Sequence, residues 1–286
     1  MLRTRILTAL VLLVLLAAAA AVSTRALIAL GAAFLGVALA EWLQLSGLGR
    51  ARAAVLAVGA AGLAMVLDLA GLAPAPLLLG VLCALACAAW LGIALVLVRA
   101  QTVGVRLPAA VLVLAAGALA AVAWFALHAL LQQGPRWTLS VLALVWLADI
   151  AAYFSGRSFG RHKLASRISP GKTWEGVWGA FLAVVLVAEV LRWAWPDVAL
   201  WSTQLLQAAP LAGVGALLLL VALSIVGDLF ESLVKRQAGV KDSGRLLPGH
   251  GGVWDRIDAT LPVLPLAVLS QWALGAGALP GGNLHG

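Results

Sequence analysis

The residues able to do chemistry crowd into one stretch, Ser232 to Asp258, which reads SLVKRQAGVKDSGRLLPGHGGVWDRID. It holds five cations (Lys235, Arg236, Lys241, Arg245 and Arg256), three aspartates and His250, with Asp228 just upstream. Only 10% of the chain is charged, so this density marks a site. Asp228, Glu231, Ser232 and Lys235 recur at i, i+3, i+4 and i+7, which puts them on one helical face. A carboxylate inside a membrane span is costly unless it meets a polar interior or a partner. A structural ion pair between Asp228 and Lys235 is the plainer alternative. Next come Lys241-Asp242, the turn Pro248-Gly249-His250-Gly251-Gly252, and Asp255-Arg256-Ile257-Asp258. Asp255 and Asp258 are expected on one face of a helix that opens the last span, where the helix dipole also favours acidic residues. Three aspartates with no nearby Cys and a single His are hard oxygen donors, which point to Mg2+ rather than Zn2+.

A second cluster follows Asp149 and runs from Tyr153 to Gly176, carrying Arg157, Arg161, Lys163, Arg167 and Lys172. Gly156, Gly160, Gly171 and Gly176 let the backbone approach something closely. Ser169-Pro170-Gly171-Lys172-Thr173 superficially resembles the end of a nucleotide-binding P-loop. The first Gly of that motif would fall on Ser166, and no strand is expected before it. Ser169 or Thr173 is placed to cap the following helix, whose N-terminus would then attract an anion. Aspartates for a divalent ion, cations for several phosphates and a glycine-rich turn are together the equipment of phosphoryl or nucleotidyl transfer. The competing reading is that the cations merely hold their loops at the membrane surface.

The elements that position these groups are apolar helices. The chain is 64% hydrophobic, and apolar runs near 20 residues repeat along it. A bilayer admits only helices or closed barrels, and these runs do not alternate as barrel strands do. The expectation is an all-α, polytopic integral membrane helix bundle of about nine transmembrane helices, at roughly 6–22, 26–44, 53–70, 77–98, 107–127, 138–154, 177–195, 211–230 and 259–276. With the N-terminus cytoplasmic, 16 of the 19 Lys and Arg residues fall on the cytoplasmic side, leaving Arg25, Arg136 and Arg192 opposite. A secretion signal at the N-terminus is the alternative for the first span, and its removal would upset this pattern. The net charge of +8 thus reflects topology and contact with anionic lipid or phosphate, with no nucleic acid implied.

Residues 1–148 contain two acidic residues, Glu41 and Asp68, whereas 149–258 contain the other nine. We therefore divide the chain into an N-terminal transmembrane scaffold, 1–136, and a C-terminal catalytic region, 137–286. The catalytic region carries two cytoplasmic motif loops, 155–176 and 231–258. Cys83 and Cys87 read as small core residues, tryptophans near span ends as interfacial anchors, and the GAGALPGGNLHG terminus as a tail with His285 in solvent.

The run S-x-x-K-R-x4-K-D-x-G-x3-P-x-H-G-G-x2-D-R-x-D, from Ser232 to Asp258, resembles the signature of the phosphatidate cytidylyltransferase (CDP-diacylglycerol synthase) family at every defining position. Ser169 to Gly176 and Gly227 to Ser232 are similar to it too. Ile150 and Ala151 stand where that family usually has a small or hydroxyl residue and Gly, and Phe230 stands where a smaller residue is common. The resemblance implies that CTP and phosphatidic acid, a membrane lipid, give CDP-diacylglycerol and pyrophosphate. It implies a Mg2+ requirement, leaves open a second, monovalent cation, and suggests a homodimer. It implies a multi-pass protein of the cell inner membrane with its site on the cytoplasmic face. Asp228 and Asp255 would bind Mg2+, with Asp258 as third or outer ligand. Lys172, Lys235, Arg236, Lys241 and Arg256 would hold the phosphates, and His250 would bond a phosphate or orient a water. Asp242 belongs to the catalytic motif; Ser169, Thr173, Ser232, Gly251 and Gly252 would line the substrate. Glu175 and Glu231 would position cations.

Two other functions use some of the same groups. A CTP-dependent lipid kinase needs a membrane site, Mg2+ and phosphate-binding cations, but moves the γ-phosphate to an alcohol. A transporter would place carboxylates at the bilayer midplane on broken helices, whereas here they gather near one end.

Overall fold

A computed structural model of the protein describes residues 2–273. Among these residues the chain forms eleven helices and one two-stranded hairpin. In order they are α1 (Leu2–Val22), α2 (Thr24–Leu45), α3 (Arg50–Leu69), α4 (Pro76–Val103), α5 (Ala109–Gln133), α6 (Pro135–Phe159), β1 (Lys163–Ala165), β2 (Ser169–Thr173), α7 (Trp174–Ala194), α8 (Trp201–Ala208), α9 (Pro210–Gln237), α10 (Trp254–Ile257) and α11 (Val263–Ala273). Seven of the helices (α2 to α7 and α9) are long and apolar enough to cross a membrane. The molecule is therefore a multi-pass helix bundle. Each of the nine expected spans falls on a helix, though the apolar part of α1 covers only Ile6–Val22 and α11 is short. The end of the last expected span and the terminal tail with His285 lie outside the described residues.

The helix boundaries have local causes. Pro76, Pro135 and Pro210 occupy first turns, where a missing N–H costs nothing. Ser23 caps α2 by accepting the Ala26 N–H at 3.1 Å, and Thr173 caps α7 by accepting the Gly176 N–H at 3.2 Å. The cap expected at Ser169 or Thr173 is thus made by Thr173.

Two sequence expectations fail. A strand does precede the Ser169–Thr173 segment, which is itself a strand: β1 and β2 pair antiparallel, with Lys163 opposite Thr173 and Ala165 opposite Ser169. The segment runs as an extended edge into α7, not as a loop wrapped over a helix end. Nor does one helix carry Asp255 and Asp258 into the last span. α10 stops after four residues, and α11 starts at Val263. Pro262 has no N–H, so a helix continued through Asp258 would lose that bond and clash with the turn before it. Gly227 of α9 nests against this break; a Cβ there would stand 3.0 Å from the Pro262 ring.

An aromatic stack ties the scaffold to the catalytic half. Trp42 of α2 stacks on Trp254 of α10, centroids 4.6 Å apart and 8° from parallel. Phe230 of α9 stands edge-on to both Trp42 (5.3 Å) and Trp90 of α4 (5.7 Å). The large residue at 230 therefore fills the space between two tryptophans. Trp42, Trp90, Trp201 and Trp254 are fully buried, so the anchoring role expected for tryptophan does not apply to these four. Gly156 and Gly176 serve the contact between α6 and α7, whereas Gly171 on β2 faces open space. A Cβ on Gly176 would lie 2.8 Å from the Ala152 carbonyl oxygen, as expected where small residues let membrane helices close up.

Candidate active site

One face of α9, the hairpin strand β2 and the 238–258 segment meet around a single cavity of about 1320 Å3. It is lined by Asp149, Ser169, Lys172, Thr173, Asp228, Glu231, Ser232, Lys235, Arg236, Lys241, Asp242, His250, Asp255, Arg256 and Asp258 at one end. Leu13, Leu16, Phe34, Leu131, Leu142 and Trp146 are among the apolar residues that line the rest. Of the residues expected at the site, Glu175, Gly251 and Gly252 do not line it.

The α9 spacing delivers its four polar residues to one face. The Lys235 ammonium bonds Glu231 Oε2 at 2.5 Å and Asp255 Oδ1 at 2.6 Å. The simple Asp228–Lys235 pair does not form. Asp228 instead pairs with Lys172, whose Nζ is 2.6 Å from Asp228 Oδ2, and the Ser232 hydroxyl lies 3.5 Å from Asp228 Oδ1. The Lys172 side chain thus crosses from β2 to α9, and the two motif clusters form one site.

Asp255 is the most heavily bonded acid. Its Oδ2 accepts the backbone N–H groups of Ser243 (2.8 Å) and Gly252 (2.8 Å) and lies 3.0 Å from the Ser243 hydroxyl. Burial pushes its carboxyl up, but hydrogen bonds with Glu231, Lys235 and these N–H groups outweigh it and hold it down at about 2. Asp258 is the opposite case. Burial, and then the charge of Asp228, push its carboxyl well above the usual range, against one bond from the Ala259 N–H at 2.8 Å. Arg256 Nη2 donates to the His250 carbonyl oxygen at 2.9 Å, which ties Arg256 to the glycine turn.

Glu175 holds the base of the hairpin: its Oε1 lies 2.7 Å from His162 Nδ1, and both of its oxygens accept the His162 N–H at 3.2 Å. The residue that sequence reasoning missed is Glu41. This α2 carboxylate is 7% exposed and accepts from Ser243 Oγ, the Val253 N–H and the Trp254 N–H. The available signal was its rarity, one of two acids in 148 residues and placed inside a span, where a charge needs partners.

Among the described residues, no three carboxylate, His or Cys groups already stand as a closed metal-ligand set. The donor chemistry nevertheless fits a hard divalent ion. Asp228 and Asp258 bring oxygen atoms from two elements to one place, and the crowding that raises Asp258 is what a cation relieves.

The charged end can neutralise several phosphates while the apolar remainder accepts hydrocarbon. A family model described as the cytidylyltransferase family matches residues 3–273, nearly the whole of the described chain. The chain belongs to the cytidylyltransferase family. Among similar members are proteins named phosphatidate cytidylyltransferase. The one from Pseudomonas aeruginosa is 48% identical over 140 residues, 49% of this chain and 49% of that protein. The Haemophilus influenzae protein is 45% identical over 128 residues, 44% of this chain and 42% of the relative. The Brucella melitensis protein is 46% identical over 137 residues, 45% of this chain and 44% of the relative. The chain spans about half the length of the curated relatives it matches. The family match takes in the scaffold helices and Glu41.

Proposed function

We propose that this chain transfers the cytidylyl group of CTP to phosphatidic acid, forming CDP-diacylglycerol and releasing pyrophosphate. The observation that carries the reading is the cavity, one space with a cationic and carboxylate end and an apolar remainder. A lipid phosphate needs both halves, and a soluble triphosphate needs only the first.

The lipid phosphate is a monoester with a second pKa of about 6, so it is largely dianionic at neutral pH and attacks without a strong general base. Its oxygen forms a bond to the α-phosphorus of CTP, and the bond from that phosphorus to the bridging oxygen breaks, so that pyrophosphate leaves. The obstacle is repulsion between anions. Lys172, Arg236, Lys241 and Arg256 line the space where those charges gather and offset it. Lys235, held by Glu231 and Asp255, contributes its charge from a fixed position. Asp228 and Asp258 would hold Mg2+, with Asp255 contributing through Oδ1, the oxygen that accepts from Lys235. When bound, Mg2+ supplies further neutralisation of the phosphate oxygens.

We place the protein in the inner membrane, since the named relatives are bacterial, with the cavity's charged end at the cytoplasmic face. The support is the excess of Lys and Arg at that end of the bundle.

The test is incubation of the purified protein in liposomes with phosphatidic acid and CTP labelled at the α-phosphate, with and without Mg2+. Label is expected in the lipid, with pyrophosphate released and Mg2+ required. Label left in water as CDP beside a newly phosphorylated alcohol would overturn the reading in favour of a lipid kinase.

A further inference from the structure

We infer that Glu41, on the scaffold helix α2, is a positioning residue for this reaction: its carboxylate latches the segment that carries Lys241, Asp242, Asp255 and Arg256. The catalytic part of the inference rests on the cytidylyl-transfer reading; the latch itself does not.

Glu41 lies 202 residues or more from each of its partners. Its Oε1 accepts the Val253 N–H at 3.1 Å, and its Oε2 accepts the Trp254 N–H at 2.8 Å and the Ser243 hydroxyl at 2.8 Å. No Lys or Arg forms a salt bridge with it among the described residues. A buried carboxylate held by neutral donors is stable only while all of them stay aimed at it, so it fixes the backbone that supplies them.

Two further features are built around the insertion. Gly244 and Gly252 both pack on the carboxylate, and a Cβ would stand 2.8 Å and 2.6 Å, respectively, from Glu41 Cδ. Gly252, part of the signature turn, thus leaves room for Glu41 while its N–H holds Asp255. The Ser243 hydroxyl lies between Glu41 Oε2 and Asp255 Oδ2, at 2.8 Å and 3.0 Å. It has one proton and donates to one carboxylate at a time. The latch therefore ends on an acid of the site itself. Trp42, the next residue of α2, stacks on Trp254 and holds the same segment from the apolar side.

The experiment compares wild-type protein with Glu41→Gln in detergent, by hydrogen–deuterium exchange and by kinetics. Exchange at the Val253 and Trp254 amides is expected to quicken on the order of tenfold in the variant, as for loss of a hydrogen bond to a charged group. Turnover (kcat) is expected to fall roughly 10–100-fold, the usual cost of losing an outer partner of a charged site. The Mg2+ concentration for half-maximal CTP binding, measured without lipid, should rise. The KM for phosphatidic acid should hold, because the apolar part of the cavity is untouched. If Glu41→Gln does not fold, Ser243→Ala, which removes one arm of the latch, takes the same measurements. Unchanged exchange at Val253 and Trp254 would overturn the latch. Faster exchange with wild-type kcat and CTP binding would overturn the positioning role. Failure of the wild-type protein to turn over at all would overturn the cytidylyl-transfer reading, and the exchange data alone would then decide the latch.

Discussion

Asp228 and Asp255 line one cavity and are held in opposite ways. The Asp228 side chain is 32% exposed, and its close partners are Lys172 and, at 3.5 Å, Ser232. The Asp255 side chain is 7% exposed and has four donors within reach, from Lys235, Gly252 and twice from Ser243. The difference separates two uses of one residue type. Charge at Asp228 is available to a cation entering the cavity, because its close partners are side chains, which can turn to other groups. Charge at Asp255 is built into the frame, because two of its donors are backbone N–H groups that cannot turn away. The neighbours divide less evenly: Glu231, Ser243 and Glu41 belong with the frame, whereas Asp258 is buried like the Asp255 side chain but crowded by the charge of Asp228.

The largest effect should come from breaking this comparison on its exposed side. Asp228→Asn removes the available charge and should lower cytidylyl transfer by roughly 10²–10³-fold, on the scale of losing one electrostatic group from a catalytic site. Melting of the purified protein should be unchanged. Asp255→Asn should lower activity as well, but it also breaks a buried ion pair with Lys235, so stability should drop by about 3 kcal/mol. Parallel melting curves and turnover rates check both. Equal melting of the two variants would mean that the division between available and framework carboxylates is wrong.

Lys172 comes next. It is the only contact by which the hairpin reaches the carboxylates, among the ion pairs of the described residues. Lys172→Met should cost roughly 10–100-fold in transfer and should leave Asp228 less well balanced, which Mg2+ would partly offset. The variant's activity should therefore respond to Mg2+ over a wider concentration range than that of the wild type. A flat response in Lys172→Met would separate Lys172 from the carboxylates in function.

How much of this was legible in the sequence depends on distance along the chain. The α9 face was legible because helical periodicity alone brings Asp228, Glu231, Ser232 and Lys235 together. The cap at Thr173 was legible because a hydroxyl directly before a helix has one good use. The Asp228–Lys172 pair was not, since the hairpin that carries Lys172 has strands of three and five residues, the second holding Pro170 and Gly171, too short for a strand pattern. The break after α10 had its signal in Pro262, outweighed by the apolar run around it. Glu41 was the least legible. Its partners lie in the other half of the chain, and no local pattern joins residue 41 to residue 253. The division at 136 describes where charge sits in sequence, while the latch and the Trp42–Trp254 stack cross it.

The smallest effect sharpens the comparison from the packing side. Phe230 shares α9 with Asp228, two residues on, but its ring points away from the charged cavity into the gap between Trp42 and Trp90. Phe230→Leu keeps an apolar side chain of similar size and loses two edge-on aromatic contacts. The expected cost is about 1–2 kcal/mol of stability. Because Trp42 also stacks on Trp254, loosening it should be felt at the segment latched by Glu41, but only weakly, since the carboxylate's own bonds remain. Transfer activity at low temperature should therefore stay near wild type and fall earlier on heating. Activity lost at low temperature in Phe230→Leu would show that the aromatic stack, more than the Glu41 carboxylate, sets the position of the catalytic segment.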